Sequence, residues 1–178
     1  YLPKHRVTND DLSEIMDTSD EWIQTRTGMK ARHLVTEETT TMMSAEAAKL
    51  AMEQANVSAE DIDLIIAATI SQDYIIPTLS CEVQRELGAK NAVAFDIGAA
   101  CSGFLFALTT AYSYLRSGQY QTALILGAET LSKMMDWEDR STCVLFGDGA
   151  GAAIVRNMPD EEGIGIESLV QGSDGAKG

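Results

Sequence analysis

The chain has 178 residues, and its 27 acidic and 13 basic side chains give a formal net charge of −14 at pH 7. That acidic excess argues against binding to nucleic acid or to an anionic membrane surface, because both need clustered lysine and arginine. No apolar run approaches the roughly 20 residues that span a bilayer, and a chain of this length can form one domain with a sizeable core.

The first third of the chain predicts three helices. Thr8 and Asn9 are cap-type residues before a short apolar-periodic stretch. A second short helix is predicted over 21–24, with a turn over 25–28. A third helix is predicted to begin at the cap-type residue Ser44 and to end at Asn56.

Apolar, β-branched runs alternate with helical patterns through the rest of the chain. Strands are predicted over 62–70, 93–97, 123–128, 143–146 and 152–155, helices over 77–87 and 101–117, and a polar turn over 157–162. This alternation predicts βαβ crossovers, and therefore an α/β fold with a parallel sheet. The helix that begins at Cys101 is apolar on nearly every side, so we expect it to be covered on more than one side.

The cysteine and histidine content is small. Cys81, Cys101 and Cys143 are too few and too scattered for a disulfide framework, and His5 and His33 do not form a spaced pair of zinc ligands. The first residues lack the apolar stretch of a signal peptide. An odd number of cysteines in such a chain predicts a reducing, cytoplasmic environment.

Cys101 has the surroundings of a catalytic thiol. A buried strand ends, the small residues Gly98 to Ala100 form a turn, and Cys101 opens a helix. The amino end of a helix favours a thiolate, and its free N–H groups can hold an oxyanion. We therefore predict that Cys101 is a nucleophile. Cys81 and Cys143 lack this setting and are interpreted as structural.

Two other segments suggest nucleotide binding. The glycine-rich residues 146–152, with Glu167 downstream, could be fitted to a dinucleotide fingerprint, but a strand pattern follows them, so no helix is predicted to receive the pyrophosphate. We interpret these glycines as allowing close backbone approach beside a site. Trp22, Arg26 and Arg140 could clamp a nucleotide, although composition alone favours a core anchor and ion pairs.

Taken together, residues 19–28, 99–104 and 139–142, followed by 146–152, resemble β-ketoacyl-acyl-carrier-protein synthase III in order and spacing. This family of thiolase-like condensing enzymes starts bacterial type II fatty-acid synthesis. The resemblance implies a layered α/β fold (α-β-α-β-α) with a mixed, mostly parallel sheet. Residues 1–178 would be its N-terminal half, and the C-terminal half would be absent from this chain.

The resemblance also implies roles for individual residues. Cys101 would accept an acyl group from acyl-CoA. Trp22 and Arg140 would sandwich the adenine with Thr18 nearby, and Arg26 would meet the CoA phosphates.

The acyl pocket implied by the resemblance has three members in this chain. Leu131 and Phe146 would line it, and Ile76 would reach across a homodimer into the partner's pocket. Lys30 replaces an arginine that is common in the family, so no role is assigned to it.

The partners implied are acyl-CoA, malonyl-acyl-carrier protein and a second copy of the chain, with no cofactor besides the CoA thioester and no metal. The family completes its site with a histidine and an asparagine, which neither His5 nor His33 matches. We therefore expect residues 1–178 alone not to complete condensation.

Three alternatives remain at this stage. One is another cysteine-dependent condensing enzyme of the hydroxymethylglutaryl-CoA synthase type, although residues 22–28 favour the first interpretation. The second is a non-catalytic partner subunit, which would be expected to lack Cys101. The third, a nucleotide-binding module, is disfavoured for the reasons above.

Overall fold

The computed structural model describes residues 1–158 and 165–177, so the polar turn predicted over 157–162 lies mostly outside the described residues. The helices of the described part are α1 (Asn9–Ser13), α2 (Asp20–Thr27), α3 (Thr40–Ala55), α4 (Leu79–Leu87) and α5 (Gly103–Arg116). Its strands are β1 (His5–Thr8), β2 (Ala31–Leu34), β3 (Leu64–Ala68), β4 (Val93–Ile97), β5 (Thr122–Thr130) and β6 (Asp148–Arg156).

Four strands form the main sheet, in the order β4-β3-β5-β6. β3 runs parallel to both β4 and β5, so that its last residue, Ala68, lies beside Ile97 and Gly127. β6 runs antiparallel to β5, and Thr130 pairs with Asp148. The α/β fold and the mixed, mostly parallel sheet predicted from the sequence are confirmed. The carboxyl ends of β3, β4 and β5 and the amino end of β6 therefore share one edge of the sheet.

Helices cover both faces of this sheet. Because side chains alternate along a strand, Ile65 and Ala67 of β3 pack beneath α3 and α4, whereas Leu64 and Ile66 pack beneath α5. Within the described residues, the sheet covers one side of α5, while on the other side Leu105 is 61% exposed and its carbonyl accepts the Gln171 side chain at 3.3 Å. The expectation of cover on more than one side is therefore not met by this part of the chain.

β1 and β2 form a small antiparallel sheet that was not predicted from the sequence. It lies beside a hydrophobic cluster separate from the two that pack on the faces of the main sheet, which we call the third hydrophobic cluster. In that cluster Val7, Leu12 and Ile23 pack with Cys143 and Val144. The strand predicted over 143–146 is wrong, because Cys143–Leu145 form a single 3-10 turn. The apolar character of this run reflects burial in the cluster and not membership of a sheet.

Helix boundaries follow the capping groups. α1 begins after Thr8, as predicted, and α2 continues to Gly28, whose left-handed backbone (φ 73°) ends it. α3 begins before the predicted cap Ser44, because the Thr39 hydroxyl accepts the N–H of Met42 at 3.0 Å. Several threonines in a row offered more than one possible cap.

Asp148 ties three parts of the fold together. Its buried carboxylate accepts the N–H of Val35, which follows β2, at 2.8 Å. It also accepts the N–H of Ser132, which follows β5, at 2.9 Å and the Ser132 hydroxyl at 2.5 Å. One side chain thus joins β2, β5 and β6 at the edge described above.

Replacing Asp148 by alanine would leave these backbone N–H groups buried without an acceptor. We expect Asp148→Ala to lower the free energy of unfolding by roughly 2–4 kcal/mol, as measured by urea denaturation. The matched control is Asp61→Ala, because Asp61 also accepts an N–H and a hydroxyl, both from Ser58, but at the surface. We expect that control to lose about 1 kcal/mol or less. Equal losses in the two variants would contradict the buried cross-link.

Candidate active site

Four of the residues singled out from the sequence lie in the connections at one edge of the main sheet. Ile76 is in the connection after β3, Cys101 follows β4, Leu131 follows β5 and Phe146 precedes β6. Parallel register brings the strand ends together, and ligands of α/β proteins gather at this edge. Leu131 and Phe146 are half-buried, whereas Ile76 points outward and is strongly exposed.

Cys101 lies in a short 3-10 turn, Ala100–Ser102, that leads directly into α5. Ala100 has a left-handed backbone with φ of 44°, a conformation that costs a residue with a Cβ of order 1–2 kcal/mol. This turn presents the Cys101 thiol to solvent, whereas Cys81 is half-buried and Cys143 is buried. Among the three cysteines, Cys101 alone is exposed.

Close packing holds the start of α5 against the sheet. If Gly103 carried a Cβ atom, that atom would lie only 2.8 Å from the Cβ of Ala68. A Cβ atom added to Gly127 would lie 3.3 Å from the Phe104 ring. Two glycines thus let the first turn of α5 approach β3 and β5 closely. The position of Cys101 relative to the strand ends is therefore fixed by backbone contacts.

Cys143 has a different chemical environment. Burial raises the pKa of the Cys143 thiol, Asp139 reinforces that shift, and Arg32 opposes it in part. Its sulfur lies 3.7 Å from the Met16 sulfur within the third hydrophobic cluster. A buried thiol with a raised pKa is a poor nucleophile at neutral pH.

Trp22, Arg26 and Arg140 come together in the structure, as the clamp hypothesis requires. The Arg26 guanidinium lies 4.2 Å from the centre of the Trp22 ring, and that of Arg140 lies 5.1 Å from it. Arg140 also donates to the backbone carbonyl of Asp17 and lies 3.3 Å from its carboxylate. The result is an exposed cluster in which two cations contact one indole ring.

Thr18 lies next to this cluster. Its hydroxyl oxygen is buried and has no hydrogen-bond partner among the residues that the structure describes. A buried hydroxyl without a partner is uncommon in folded proteins. Thr18 therefore has a free donor and acceptor beside Asp17, the residue that holds Arg140.

Most of the glycine-rich segment lies in β6, so the prediction that a strand and not a helix follows these glycines is confirmed. A Cβ at Gly147 would lie 3.2 Å from the Cβ of Arg32 and 3.3 Å from the His33 carbonyl oxygen. A Cβ at Gly149 would lie 3.1 Å from Leu2. These glycines allow close backbone approach, as expected, and the strand begins four residues earlier than predicted.

Sequence reasoning assigned no role to Asp17, which holds Arg140, or to Asp96. The Asp96 carboxylate accepts the N–H groups of Leu79 and Ser80, both at 2.8 Å, and so joins β4 to the start of α4. The available signal was a single carboxylate inside an otherwise apolar strand. Nothing in the sequence around Asp17 indicates its partner, which is 123 positions away.

The described residues also bear on two other kinds of site. No three His, Cys, Asp or Glu side chains in that part of the chain are grouped so that they could hold a metal ion. No helix there has the length and apolar character needed to cross a membrane.

Comparison with known proteins gives consistent matches. A family model described as 3-oxoacyl-[acyl-carrier-protein (ACP)] synthase III matches residues 95–175. A β-ketoacyl-[acyl-carrier-protein] synthase III of Clostridium acetobutylicum is 54% identical over 98% of this chain and 53% of its own length. One from Streptococcus sanguinis is 50% identical over 98% of this chain and 54% of its own length.

Solved structures agree with the sequence matches. The 3-oxoacyl-[acyl-carrier-protein] synthase III of Aquifex aeolicus superposes with a TM-score of 0.88 at 56% identity, over 90% of this chain and 52% of its own. The enzyme of Thermus thermophilus superposes with a TM-score of 0.93 at 41% identity, over 99% of this chain and 55% of its own. The chain thus spans about half the length of these relatives. The resemblance recognised in the sequence is confirmed: over nearly its whole length, this chain is similar to about half of proteins named β-ketoacyl-acyl-carrier-protein synthase III.

Proposed function

We propose that this chain carries the nucleophile of a condensing enzyme that starts type II fatty-acid synthesis. The enzyme takes an acyl group from acyl-CoA onto Cys101 and joins it to malonyl-acyl-carrier protein with loss of CO2. The observation that carries the proposal is the exposed Cys101 thiol at the start of α5, on the sheet edge where the strand connections meet. The names and identities of the relatives support the same activity.

In the first step, the Cys101 thiolate attacks the carbonyl carbon of the acyl-CoA thioester. A sulfur–carbon bond forms and the carbonyl electrons move to oxygen. Collapse of this intermediate expels CoA as a thiolate and leaves the acyl group on Cys101. The Gly103 N–H donates to the Ala100 carbonyl, so we assign the oxyanion to other backbone N–H groups beside Cys101.

In the second step, malonyl-acyl-carrier protein loses CO2, and the resulting carbanion attacks the acyl carbonyl on Cys101. The carbon–carbon bond forms, the Cys101 thiolate leaves, and 3-oxoacyl-carrier protein is released. We assign assistance of decarboxylation to residues outside these 178. His33 is engaged structurally, with Nδ1 2.6 Å from the Pro3 carbonyl oxygen, and His5 lies in the small β1–β2 sheet.

The contacts among Trp22, Arg26 and Arg140 support a binding site for CoA. In this site Trp22 and Arg140 enclose the adenine and Thr18 lies beside it. Arg26 meets the phosphates. For adenine to stack between the indole and the guanidinium, those two groups must lie about 7–8 Å apart, which is twice the optimal distance between carbon atoms in contact. The Arg140 guanidinium is only 5.1 Å from the indole, so it must move outward by a few ångströms when CoA enters. Its exposed ion pair with Asp17 presents a small barrier to that movement.

Two exposed features support a homodimer. Within the part of the chain that the structure describes, β4 is an edge strand that pairs only with β3, and Val93 on it is exposed. Unpaired edges and exposed apolar residues favour association with a second chain. In this dimer Ile76 of one copy lines the acyl pocket formed by Leu131 and Phe146 of the other.

Residues beyond this chain complete the proposed enzyme. The outward face of α5, with Leu105 exposed, is a surface for the second half of a five-layer fold, residues 1–178 being the N-terminal half. The length of the relatives supports this division. The three unpaired cysteines are compatible with a cytoplasmic location.

The first test concerns the nucleophile. Incubation of the protein with acetyl-CoA is expected to acetylate Cys101 alone, as mapped by mass spectrometry, because the other two thiols are less accessible. In the full-length enzyme, Cys101→Ser should lower condensation at least about a thousandfold, whereas the control Cys81→Ser should retain activity. Acetylation of Cys81 or Cys143 with Cys101 unmodified would overturn the assignment. Condensation with a second acyl-CoA in place of malonyl-carrier protein would favour the hydroxymethylglutaryl-CoA synthase alternative.

The second test concerns CoA binding. We expect Trp22→Ala to weaken CoA binding about 5- to 30-fold in calorimetric titration, because one stacked face and its cation partners are lost. Condensation from preformed acyl-enzyme should change much less. Trp137→Phe is the control. Trp137 and Trp22 both pack against the third hydrophobic cluster, but Trp137 has no proposed role in CoA binding. Unchanged CoA affinity in Trp22→Ala would make Trp22 a packing residue only.

The third test concerns the dimer. Ile76→Asp is expected to weaken self-association at least about tenfold in sedimentation experiments, because it places a charge where an apolar contact forms. Ile15→Asp alters an equally apolar, exposed residue on another surface and should leave association unchanged. A wild-type protein that stays monomeric at micromolar concentration would contradict the proposed dimer.

A further inference from the structure

The connection between β3 and α4 displays three consecutive large apolar side chains to solvent. Tyr74, Ile75 and Ile76 are 60%, 85% and 84% exposed. A loop with this composition would usually fold back on the protein, because each buried apolar side chain contributes about 1.5–3 kcal/mol. The loop must therefore be held outward by contacts at its base.

The first part of that base is anchored to β5 and α3 through Ser71. Its hydroxyl donates to the Glu129 carboxylate and accepts the N–H of Thr130 at 2.7 Å. Its carbonyl oxygen accepts the hydroxyls of Thr40 at 2.8 Å and Thr130 at 3.1 Å. Glu129 also accepts the N–H of Ile70 at 3.1 Å.

The second anchor is Asp73, the residue immediately before the apolar tip. One carboxylate oxygen accepts the N–H of Thr40 at 3.0 Å and the other that of Thr41 at 2.8 Å. These are orphan donors in the first turn of α3, where a negative charge is also favoured by the helix dipole. Lys133 lies 3.8 Å from the same carboxylate, whose side chain is only 11% exposed.

Asp73 is ionised at neutral pH. Burial raises the pKa of its carboxyl, but the N–H groups of Thr41 and Thr40, together with Lys133, outweigh that effect and bring it below its ordinary value. The loop therefore remains fixed to α3 throughout the neutral range.

We propose that Asp73 is a positioning residue for acyl-chain selection: by fixing the loop base to α3, it sets how far Tyr74, Ile75 and Ile76 project. The inference rests on the proposed function, in which Ile76 lines the acyl pocket of a second copy. A side chain that forms a pocket wall discriminates between substrates only while its position is fixed. Asp73 thus acts through Ile76 and does not itself touch the substrate.

The chain offers a matched control in Asp63. Its carboxylate also accepts two consecutive backbone N–H groups, those of Gln121 at 2.9 Å and Thr122 at 3.0 Å. It does so at the opposite end of β3 and β5, away from the loop. Loss of Asp63 removes comparable hydrogen bonds without releasing the apolar tip.

The experiment compares wild type, Asp73→Asn, Asp73→Ala and Asp63→Ala in the full-length enzyme. Hydrogen–deuterium exchange of the peptide covering residues 70–78 measures anchoring without any need for activity. The ratio of kcat/KM for acetyl-CoA to that for isobutyryl-CoA measures selection. In Asp73→Ala we expect faster exchange in that peptide. We also expect this ratio to move about tenfold toward one, or to reach one where the wild-type ratio is smaller. Asp73→Asn, which keeps one acceptor, should fall between wild type and Asp73→Ala. Asp63→Ala should match wild type in both measurements.

Each outcome decides the proposal. Unchanged exchange over residues 70–78 in both Asp73 variants would overturn the anchoring. Faster exchange with unchanged preference would reduce Asp73 to a structural residue and overturn the role in selection. An equal loss of preference in Asp63→Ala would show a general effect of stability and would also overturn it. If Asp73→Ala does not fold, Asp73→Asn carries the same comparison. A wild type without acyl transfer but with faster exchange in the Asp73 variants would refute the proposed function and the role in selection while leaving the anchoring supported.

Discussion

The parallel register of β3 with β4 and β5 is the constraint on which the candidate site depends. It brings the three carboxyl ends to one edge, so that the segments containing Ile76, Cys101 and Leu131 meet there although they are far apart in the chain. The antiparallel return of β6 adds Phe146 to the same edge. A shift of one residue in this register would turn every strand side chain to the opposite face.

Buried and partly buried carboxylates maintain this edge by accepting backbone N–H groups. Asp148 joins β2 and β5, Asp96 joins β4 to α4, and Asp73 joins the β3–α4 connection to α3. Each satisfies donors that helix starts or strand ends leave without a partner. Side-chain acceptors thus give the irregular connections of the site hydrogen bonds that the sheet and the helices do not supply.

Much of this architecture could be predicted because it is encoded locally. The strand over 93–97 and the glycine after α4 at Gly88 agree with the structure residue by residue. The small β1–β2 sheet was missed because its strands have four residues each. A strand was wrongly predicted over 143–146 because a short apolar run indicates that residues are buried, but does not distinguish a strand from a helical turn. Asp73 carried no signal, since its partners on α3 lie 32 and 33 positions away.

Ala100 shows how the backbone next to the proposed nucleophile is restricted. Glycine would adopt its left-handed conformation without steric cost, but would sample many other conformations as well. With alanine, the fold imposes a conformation that the residue rarely visits, and few neighbouring conformations are accessible from it. In the proposed acyl transfer, this restriction would narrow the angular spread of the Cα–Cβ bond of Cys101. The sulfur would then be better aligned with an incoming carbonyl before any substrate has bound.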